Sequence, residues 1–433
     1  MKYCLDKKMK IIHYSLGFPP ERTGGLVQYV LDLAREQLRL GHDVTIMYPG
    51  KISFFSKKIS LQFGERNRIR SIELINSLPL PLIGNIGHPS DFMAPVDPTI
   101  FEEFLKKEKP DVIHVHTLMG LYTEFISVAK KLNIRLVFTT HDYFGISPNP
   151  KFYLENHDFA DDNEHNIWEY VSAVGSSTLK HRLLQTSIYP RVRNILKTIK
   201  PNNSLSLEES IDNIKNKQKF KINKNYLALH DYYLNILKNF NVLHFNSSVS
   251  IKIYGRYLDL KCFKSEIIHV TSRNINLVKS SKVKSKKIRT IAFIGPYTHE
   301  KGFDQFLKFV TIHKDSYVYI AMGDNRKIPD EYPIKNLGKF NGHQLDNFIV
   351  DVDLVIIPSA WHETFGLVGL EALSRNIKTI ASNKVGFSDL LGDDFIFDDI
   401  SKINICDIED AKIYIPTIDD MAQHALKIMN LYK

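Results

Sequence analysis

Cysteine is scarce in this sequence: Cys4, Cys262 and Cys406 are the three among 433 residues. An odd and widely spaced set argues against a disulfide framework and against a zinc knuckle, and it fits a reducing compartment. Long apolar runs are lacking too, since no segment approaches the about 20 residues of a membrane span. The N-terminal segment MKYCLDKKMK has no apolar core of a signal peptide, so we expect a cytoplasmic protein.

Acidic residues are in the minority, because 57 Lys and Arg against 48 Asp and Glu give a net charge of +9. Such a balance serves solubility, or it attracts anionic lipid, nucleic acid or a phosphorylated ligand. The sequence has neither the aromatic and basic signature of an RNA-recognition module nor a recognition-helix pattern, so nucleic acid is not an expected partner. Peripheral attachment to the anionic inner face of the plasma membrane is one option.

Strand-like and helix-like segments alternate twice along the chain, which predicts an α/β protein with two doubly wound parallel sheets. We assign residues 1–275 to a first domain, 276–287 to a Lys-rich linker, 288–415 to a second domain and 416–433 to a C-terminal helix. A return of that helix to the first domain is one option. The segment from about 150 to 240 breaks the alternation, and we interpret it as a helical insertion.

The segment WHETFGLVGLEAL, residues 361–373, follows a strand-like run, DLVIIPS, and contains the carboxylates Glu363 and Glu371. We predict a helix that begins near Thr364, a good N-cap residue. Free amides in its first turn, together with the helix dipole, would form an anion site that a ligand approaches closely at Gly366. The two carboxylates would then bind hydroxyls on either side of a phosphate. Alternatively, Glu363 caps the helix and Glu371 is a solvated helix residue.

Loops after other predicted strands contain further candidates for phosphate binding. Lys301, within Glu300-Lys301-Gly302, precedes a helix and is a point charge suited to phosphate. Gly24 and Gly25 precede another helix, and adjacent glycines let the backbone pass close to a pyrophosphate. A surface lysine near a helix start and a simple Gly-Gly turn are the alternatives.

Histidines follow two predicted strands of the first domain. His141 ends RLVFTTHD beside Asp142, which makes it the best candidate for a site role among 17 histidines. His114 and His116 alternate along DVIHVHTL and point to one face. We find no third ligand at metal spacing and interpret this pair as structural.

Taken in order, these segments resemble the retaining glycosyltransferases of family 4, which have the GT-B fold. The resemblance rests on FPP…TGG (18–25), GHDVTIMYP, PDVIHVHTLMGL, TTHDYFG, EKG (300–302), Gly338-Lys339, and Glu363-x7-Glu371 followed by IAS and Gly386. It covers both domains but not the 150–240 insertion. It implies two Rossmann-like domains that face each other across a cleft.

The resemblance implies a metal-independent transferase of EC 2.4 type with no cofactor. A sugar would move from a nucleoside-diphosphate sugar, UDP by default, to a glycan or lipid-linked acceptor of surface polysaccharide or glycoconjugate biosynthesis. Glu363 would bind the transferred sugar, Lys301 would hold the diphosphate, His141 would orient the sugar near its 6-position, and Glu371 would bind the ribose. The other implied donor-binding residues are Gly24, Gly25, Gly295, Gly338, Lys339, Thr364, Phe365, Gly366, Leu367 and Val368.

Two positions depart from the family pattern. Pro296 stands where an Arg is usual, so one phosphate-neutralising charge is missing, and Arg273 and Lys339 are the candidates to replace it. Asp389 stands where Glu is commoner.

Other interpretations stay open at this point. Asp351-Val352-Asp353 spells the DxD motif that holds a metal in GT-A enzymes, but it leads into DLVIIPS, so we expect Asp353 to cap that strand. A non-catalytic partner or chaperone of an active enzyme is supported by Pro296, whereas a sugar-nucleotide epimerase does not explain PSxxHETFG together with EKG. Acceptors bind the first domain in this fold, and Trp168 in the insertion would serve a membrane surface, an acceptor or plain packing.

Overall fold

The computed structural model describes residues 8–53, 58–82, 86–154, 156–162, 167–168, 178, 182, 224–275, 287–340, 344–411 and 418–433. The chain divides into two compact units. The first unit comprises Met1–Phe245, Ile253–Ile268 and Ala425–Lys433, and the second comprises Asn246–Lys252 and His269–His424. The second unit thus begins before the predicted boundary at residue 275, and the predicted linker lies outside the described residues except for Lys287.

The short piece Asn246–Lys252 belongs to the second unit because its polar groups bond there. Ser247 donates through its hydroxyl to the carbonyl oxygen of Thr364 at 2.7 Å. The amide of Ser248 donates to a carboxylate oxygen of Asp389 at 2.6 Å. Asp389, noted above as a departure from the family pattern, therefore anchors this segment.

The first unit contains a large, mostly parallel sheet. Its strands are β1 Lys10–Tyr14, β2 Asp43–Pro49, β3 Ser60–Arg66, β4 Ile69–Ile75, β5 Val112–Val115, β6 Arg135–Thr139, β9 Val242–Phe245 and β10 Lys264–Ile267, and β7 Tyr153–Leu154 with β8 His157–Asp158 forms a separate small hairpin. The order in the large sheet is β10-β9-β6-β5-β1-β2-β4-β3, and only β3 runs antiparallel to its neighbour. Short buried apolar runs such as KIIHY are typical of parallel strands.

The helices of this part of the chain follow the predicted apolar periodicity. They are α1 Gly25–Arg39, α2 Thr99–Glu108, α3 Thr123–Lys131, α4 Lys224–Leu237 and α5 Ser248–Tyr254. Gly41, just after α1, has a left-handed φ of 91°, which is common for a glycine at the end of a helix. In the predicted insertion, Trp168 is buried and donates from Nε1 to the carbonyl oxygen of Ile146 at 3.1 Å, so at this position the packing alternative is correct.

The second unit contains a smaller sheet in which every pair is parallel. Its strands are β11 Thr290–Ile294, β12 Val318–Met322, β13 Ile334–Asn336, β14 Leu354–Ile357, β15 Lys378–Ser382 and β16 Ile396–Phe397, in the order β13-β12-β11-β14-β15-β16. The helices are α6 Phe303–Ile312, α7 Leu345–Phe348, α8 Leu367–Leu373 and α9 Ile405–Asp410, and α10 Met421–Asn430 ends in the first unit. The predicted pair of doubly wound α/β bodies is confirmed.

Asp353 has a structural partner in this sheet. Its carboxylate accepts from the backbone amides of Arg289 and Thr290 at 2.9 and 3.0 Å. It therefore caps the start of the neighbouring strand β11, and not of its own strand β14 as the sequence predicted.

Within the described ranges, no helix combines the length and the apolar character that a membrane-spanning helix needs.

Candidate active site

Lys301 and Glu363 meet in the second unit, beyond the carboxyl ends of β11 and β14. The Nζ atom of Lys301 lies 2.8 Å from Oε1 of Glu363. The hydroxyl of Ser359 donates to the same carboxylate oxygen. Glu363 is only 7% exposed, whereas the lysine side chain keeps 31% of its surface. The carboxylate is thus held from two sides while the ammonium group still reaches solvent.

Gly302 explains why Lys301 sits here. Its φ of 71° is in the left-handed region, and a Cβ built on it would overlap the carbonyl oxygen of Pro358. The amide of Ala360 also donates to the carbonyl oxygen of Glu300 at 3.0 Å. The loop is therefore pressed against the end of β14, and only glycine permits that approach.

The helix after Glu363 starts later than predicted. It begins at Leu367, and Gly366 precedes it with a φ of 97°. The predicted start near Thr364 is wrong because residues 363–365 stay extended against residues 385–387, with a parallel bridge and a 2.6 Å backbone hydrogen bond. The amides of the first helical turn are consequently those of Leu367 and Val368, and the amide of Phe365 lies outside it.

Glu371 lies on α8 and is partly buried. Burial raises the pKa of its carboxyl group, and the guanidinium of Arg375 opposes that rise. Arg375 in turn bonds to the carbonyl oxygen of Glu371 at 2.9 Å and to the carboxylate of Asp346 at 2.5 Å. The alternative of a fully solvated helix residue does not describe this side chain.

Gly295 and Gly338 converge through a third glycine that the sequence search missed. The amide of Gly323 donates to the carbonyl oxygen of Gly338 at 2.8 Å, and a Cβ on Gly323 would lie 2.8 Å from the carbonyl oxygen of Gly295. Lys339 follows, with its amide bonded to the side chain of Asn325 at 2.8 Å. These glycines let three backbone segments pack closely at the carboxyl edge of the second sheet, where parallel α/β sheets bind ligands.

A second cation lies close to Pro296, and the sequence search missed it as well. The amide of Tyr297 donates to Oδ2 of Asp324 at 3.1 Å, and Arg326 contacts the same oxygen at 2.8 Å. Burial favours the neutral form of Asp324, yet the Arg326 guanidinium and the Tyr297 amide lower its pKa overall. Arg326 is therefore a further candidate, beside Arg273 and Lys339, to supply the phosphate-neutralising charge that is missing at Pro296.

In the first unit, the glycine pair and His141 are linked by one aromatic ring. Gly24 has a φ of 120°, a Cβ on it would meet no atom within 4 Å, and Gly25 is the first residue of α1. Tyr29, on the next turn of α1, packs its ring against that of His141 with centroids 4.7 Å apart. The start of α1 and the end of β6 thus adjoin.

His141 is also the first member of a buried hydrogen-bonded chain, which we call the histidine network. Its members, in order, are His141, His116, His13, Gln37, Tyr432, His114, Thr139, His244 and the carbonyl oxygen of Ile268. The eight links measure 2.6–3.1 Å. His13 lies in register with His114 on the adjacent strand and was not among the residues predicted from the sequence.

The histidine network also bears on whether His114 and His116 could belong to a metal site. His13, His114 and His116 have ring nitrogens close enough together to hold an ion, so the statement that the pair lacks a third partner is wrong. Both ring nitrogens of each are nevertheless hydrogen-bonded to protein groups. Burial lowers the pKa of His13 to about 4, against an opposing hydrogen bond from Gln37, and that of His116 well below its usual range.

Asp142 follows His141 and is a titratable group in its own right. Burial raises the pKa of its carboxyl group to about 7, and the amide of Phe144 opposes the rise. A neutral carboxyl beside His141 can donate a hydrogen bond that a carboxylate cannot.

Sequence comparison identifies the family. A family model described as Glycosyltransferase Family 4 matches residues 23–196, and one described as Glycosyl transferases group 1 matches residues 275–402. The chain belongs to the group 1 glycosyltransferases. This glycosyltransferase is 24% identical to an uncharacterized 42.6 kDa protein in the cps region of Klebsiella pneumoniae, over 97% of this chain and 99% of that protein. It is 23% identical to an uncharacterized glycosyltransferase of Methanocaldococcus jannaschii, over 88% and 83% of the two chains.

Solved structures show the GT-B fold of this glycosyltransferase. HepE of Anabaena in complex with UDP matches with a TM-score of 0.52 and 14% identity, covering 98% of this chain and 94% of that one. The catalytic domain of starch synthase IV of Arabidopsis thaliana, bound to ADP and acarbose, matches with a TM-score of 0.51 and 14% identity, covering 98% and 99%.

Proposed function

We propose that the protein transfers a sugar, with retention of anomeric configuration, from a nucleoside-diphosphate sugar to a glycan or lipid-linked acceptor in surface-glycan synthesis. The observation that carries the proposal is the contact of Lys301 with Glu363 at the carboxyl edge of the second sheet. Family membership supports the donor class, UDP and ADP in the structural neighbours support a diphosphate, and the relative in a cps region supports a polysaccharide product.

The proposed chemistry follows from charge. Breaking the sugar–phosphate bond leaves negative charge on the diphosphate and positive charge on the sugar ring. We assign the diphosphate to Lys301 and the amides of Gly366 to Val368, the ring hydroxyls to Glu363, and the ribose to Glu371. The acceptor attacks from the face that the diphosphate leaves, and a departing phosphate oxygen takes its proton. No divalent ion is required in this scheme.

Lys301 is preorganised for this role by its present partner. Glu363 neutralises the ammonium group at 2.8 Å, so an arriving phosphate competes with a carboxylate for the lysine. Once the lysine turns to the phosphate, Ser359 still holds the carboxylate in place. The pair therefore couples donor binding to release of Glu363 for the sugar.

For the acceptor, we infer a polar cavity of about 310 Å³ in the first unit. The β1–α1 loop and strands β2, β3 and β4 form it, with Arg22, Tyr48, Gln62, Arg66 and Glu73 among its lining. Arg66 is fixed by an ion pair with Glu21 at 2.7 Å and lies over the ring of Phe18. Mixed charges, an amide and a phenol suit a polyhydroxylated molecule better than an apolar one.

The test is a donor screen. The purified protein is incubated with UDP-, GDP-, ADP- and dTDP-sugars, and release of the nucleoside diphosphate is followed. We expect release with one of them, its loss in Lys301→Ala, and unchanged release in Lys308→Ala, which removes a half-exposed lysine paired with Asp399. Binding without release in the wild type would favour the non-catalytic partner instead.

We also propose peripheral attachment to anionic membranes, because the net charge is +9. Flotation with vesicles of phosphatidylglycerol and phosphatidylcholine should show binding that salt weakens. Equal binding to vesicles of phosphatidylcholine alone, or none at low salt, would contradict it.

A further inference from the structure

Trp361 lies beside the ion pair of Lys301 and Glu363, and its ring contacts the cation. The Lys301 ammonium group lies over the indole, 5.5 Å from the ring centroid, and a cation is attracted by an aromatic quadrupole within about 6 Å. The same Nζ atom lies 2.8 Å from Oε1 of Glu363. The ammonium group is therefore attracted by a charged carboxylate and, at the same time, by a ring without net charge.

The backbone on both sides of Trp361 is held by hydrogen bonds, which fixes where the ring can lie. The amide of Ala360 donates to the carbonyl oxygen of Glu300, in the loop that carries the lysine, at 3.0 Å. The amide of Glu363 donates to the carbonyl oxygen of Lys384, also at 3.0 Å. Because the first bond joins the loop of the indole to the loop of the lysine, the contact between the two side chains is built into the second unit.

The indole of Trp361 has a buried N–H group that a smaller ring would avoid. Its Nε1 atom is shielded from water, and among the residues that the structure describes none accepts a hydrogen bond from it. An N–H group that loses its bond to water without a replacement destabilises a fold. Phenylalanine would bring no N–H group, but its ring attracts a cation less strongly than indole does. Attraction for the lysine therefore explains tryptophan at this position better than packing does.

Binding of a diphosphate would change the surroundings of the Lys301 ammonium group. The lysine side chain keeps 31% of its surface exposed, and water weakens the attraction between a cation and a ring. A diphosphate that takes the place of Glu363 as the partner of the lysine also displaces this water. Because the indole has no net charge, it does not compete with phosphate for the cation, and its own attraction grows as water leaves.

We propose that Trp361 is a positioning residue for Lys301, whose ring holds the ammonium group in the site while the partner of the lysine changes from Glu363 to the diphosphate of the donor. The contact between ring and ammonium group is seen in the structure, whereas the role toward the diphosphate rests on the proposed function. Trp361 thereby strengthens donor binding without touching the donor.

The test changes the electron density of one indole and leaves its N–H group in place. In Trp168→Phe, Trp361 is the only tryptophan, so expression in a tryptophan-requiring host with analogues that carry one, two or three ring fluorines labels this position alone. Fluorine withdraws electrons from the face of the ring and so weakens its attraction for a cation. Titration calorimetry with UDP, GDP, ADP and dTDP then gives the Kd of each protein.

We expect the Kd of the diphosphate that binds to rise stepwise with the number of fluorines, by about fivefold in total, because the contact is desolvated in the complex. Lys301→Ala in the same background removes the cation, so its weaker binding should not change with fluorination. Fluorinated Trp168 in Trp361→Phe is the matched control, because this ring lies in the first unit, and fluorination there should leave the Kd unchanged.

A second measurement needs no ligand. In urea unfolding, three fluorines on Trp361 should lower the equilibrium constant for folding of the second unit by about threefold, and this effect should vanish in Lys301→Ala. Trp361→Phe, which removes the N–H group and keeps a weaker ring, should raise the Kd without lowering the melting temperature of that unit. This variant also keeps the proposal testable where the fluorinated protein does not fold.

Three results would overturn the positioning role. They are a Kd that does not change with fluorination, an equal change in Lys301→Ala, and a Kd that falls with fluorination. The last would assign the N–H group to the diphosphate, because fluorine makes an indole N–H a stronger donor while it weakens the ring. Absence of binding by all four diphosphates, together with an effect of fluorination on folding that depends on Lys301, refutes the proposed function and leaves the contact of ring and lysine established.

Discussion

Mild acid should destabilise the first unit selectively. His13 and His116 are fully buried in the network, and burial lowers the pKa of both rings below the usual value of 6.5. The unfolded chain therefore binds more protons than the folded chain between about pH 6.5 and pH 4. The stability that the two neutral rings contribute is complete above this pH window and is lost as the pH falls through it.

The magnitude follows from the shift of His13 to about 4. A pH of about 5 is about 1.5 units below the pKa of the ring in the unfolded chain, so that ring is protonated, whereas the ring in the folded chain is still neutral. This difference lowers the free energy of unfolding by about 2 kcal/mol per histidine. His141, whose pKa burial lowers to about 3, adds a similar loss, and His116 acts in the same direction, whereas Asp142, whose pKa burial raises to about 7, offsets about 2 kcal/mol. The free energy of unfolding should therefore fall by at least about 2 kcal/mol between about pH 7 and pH 5. That is a large share of the about 5–15 kcal/mol of a typical domain.

The two tryptophans allow each unit to be followed alone, because Trp168 lies in the first unit and Trp361 in the second. Urea unfolding of Trp361→Phe, monitored by Trp168 fluorescence, gives the stability of the first unit. Trp168→Phe reports the second unit as the control, with a smaller pH response expected. A first unit whose free energy of unfolding changes by less than about 1 kcal/mol over this range would refute the reasoning.

Gly302→Ala should lower the stability of the second unit by roughly 2–4 kcal/mol in urea unfolding and abolish donor turnover, because the new Cβ overlaps a backbone carbonyl. The matched control is Gly41→Ala, where φ is also positive but the space around the new Cβ is open. It should lower the stability of the first unit by only about 1 kcal/mol. Asp353→Asn should cost about 1 kcal/mol, and chelators should leave turnover unchanged in both proteins; inhibition by a chelator would restore the DxD interpretation. Ser359→Ala should lower kcat about tenfold with little change in melting temperature, because Glu363 loses one of its two anchors; an unchanged kcat would contradict this. Gln62→Ala should raise the KM for the acceptor and not for the donor, and the reverse result would remove the cavity from consideration.

The elements that local pattern determines were predictable. The apolar periodicity of α1 and the buried runs of β1, β11 and β14 predicted two parallel sheets, and parallel sheets bind ligands at their carboxyl edge. Lys301 and Glu363 follow two strands that lie side by side, so their proximity follows from topology.

What the sequence could not supply depends on register and on long-range pairing. The start of α8 moved to Leu367 because a bridge to Val385 outweighs the N-cap preference of Thr364, and no local signal encodes that bridge. His13 and Tyr432 join the network from opposite ends of the chain. Only the adjacency of β1 and β5 and the docking of the last helical turn on the first unit reveal them.

The most direct test of the account is binding of nucleoside diphosphates to Trp168→Phe, in which Trp361 is the only fluorophore of its kind and its ring lies 5.5 Å from the Lys301 ammonium group. We predict that one of UDP, GDP, ADP and dTDP changes this fluorescence and, at about 100 times its Kd, stabilises the second unit by about 2.7 kcal/mol. Lys301→Ala in the same background should weaken that binding at least tenfold, and Lys308→Ala should not. Equal binding by Lys301→Ala, or no response to any of the four diphosphates, would contradict a diphosphate site at Lys301.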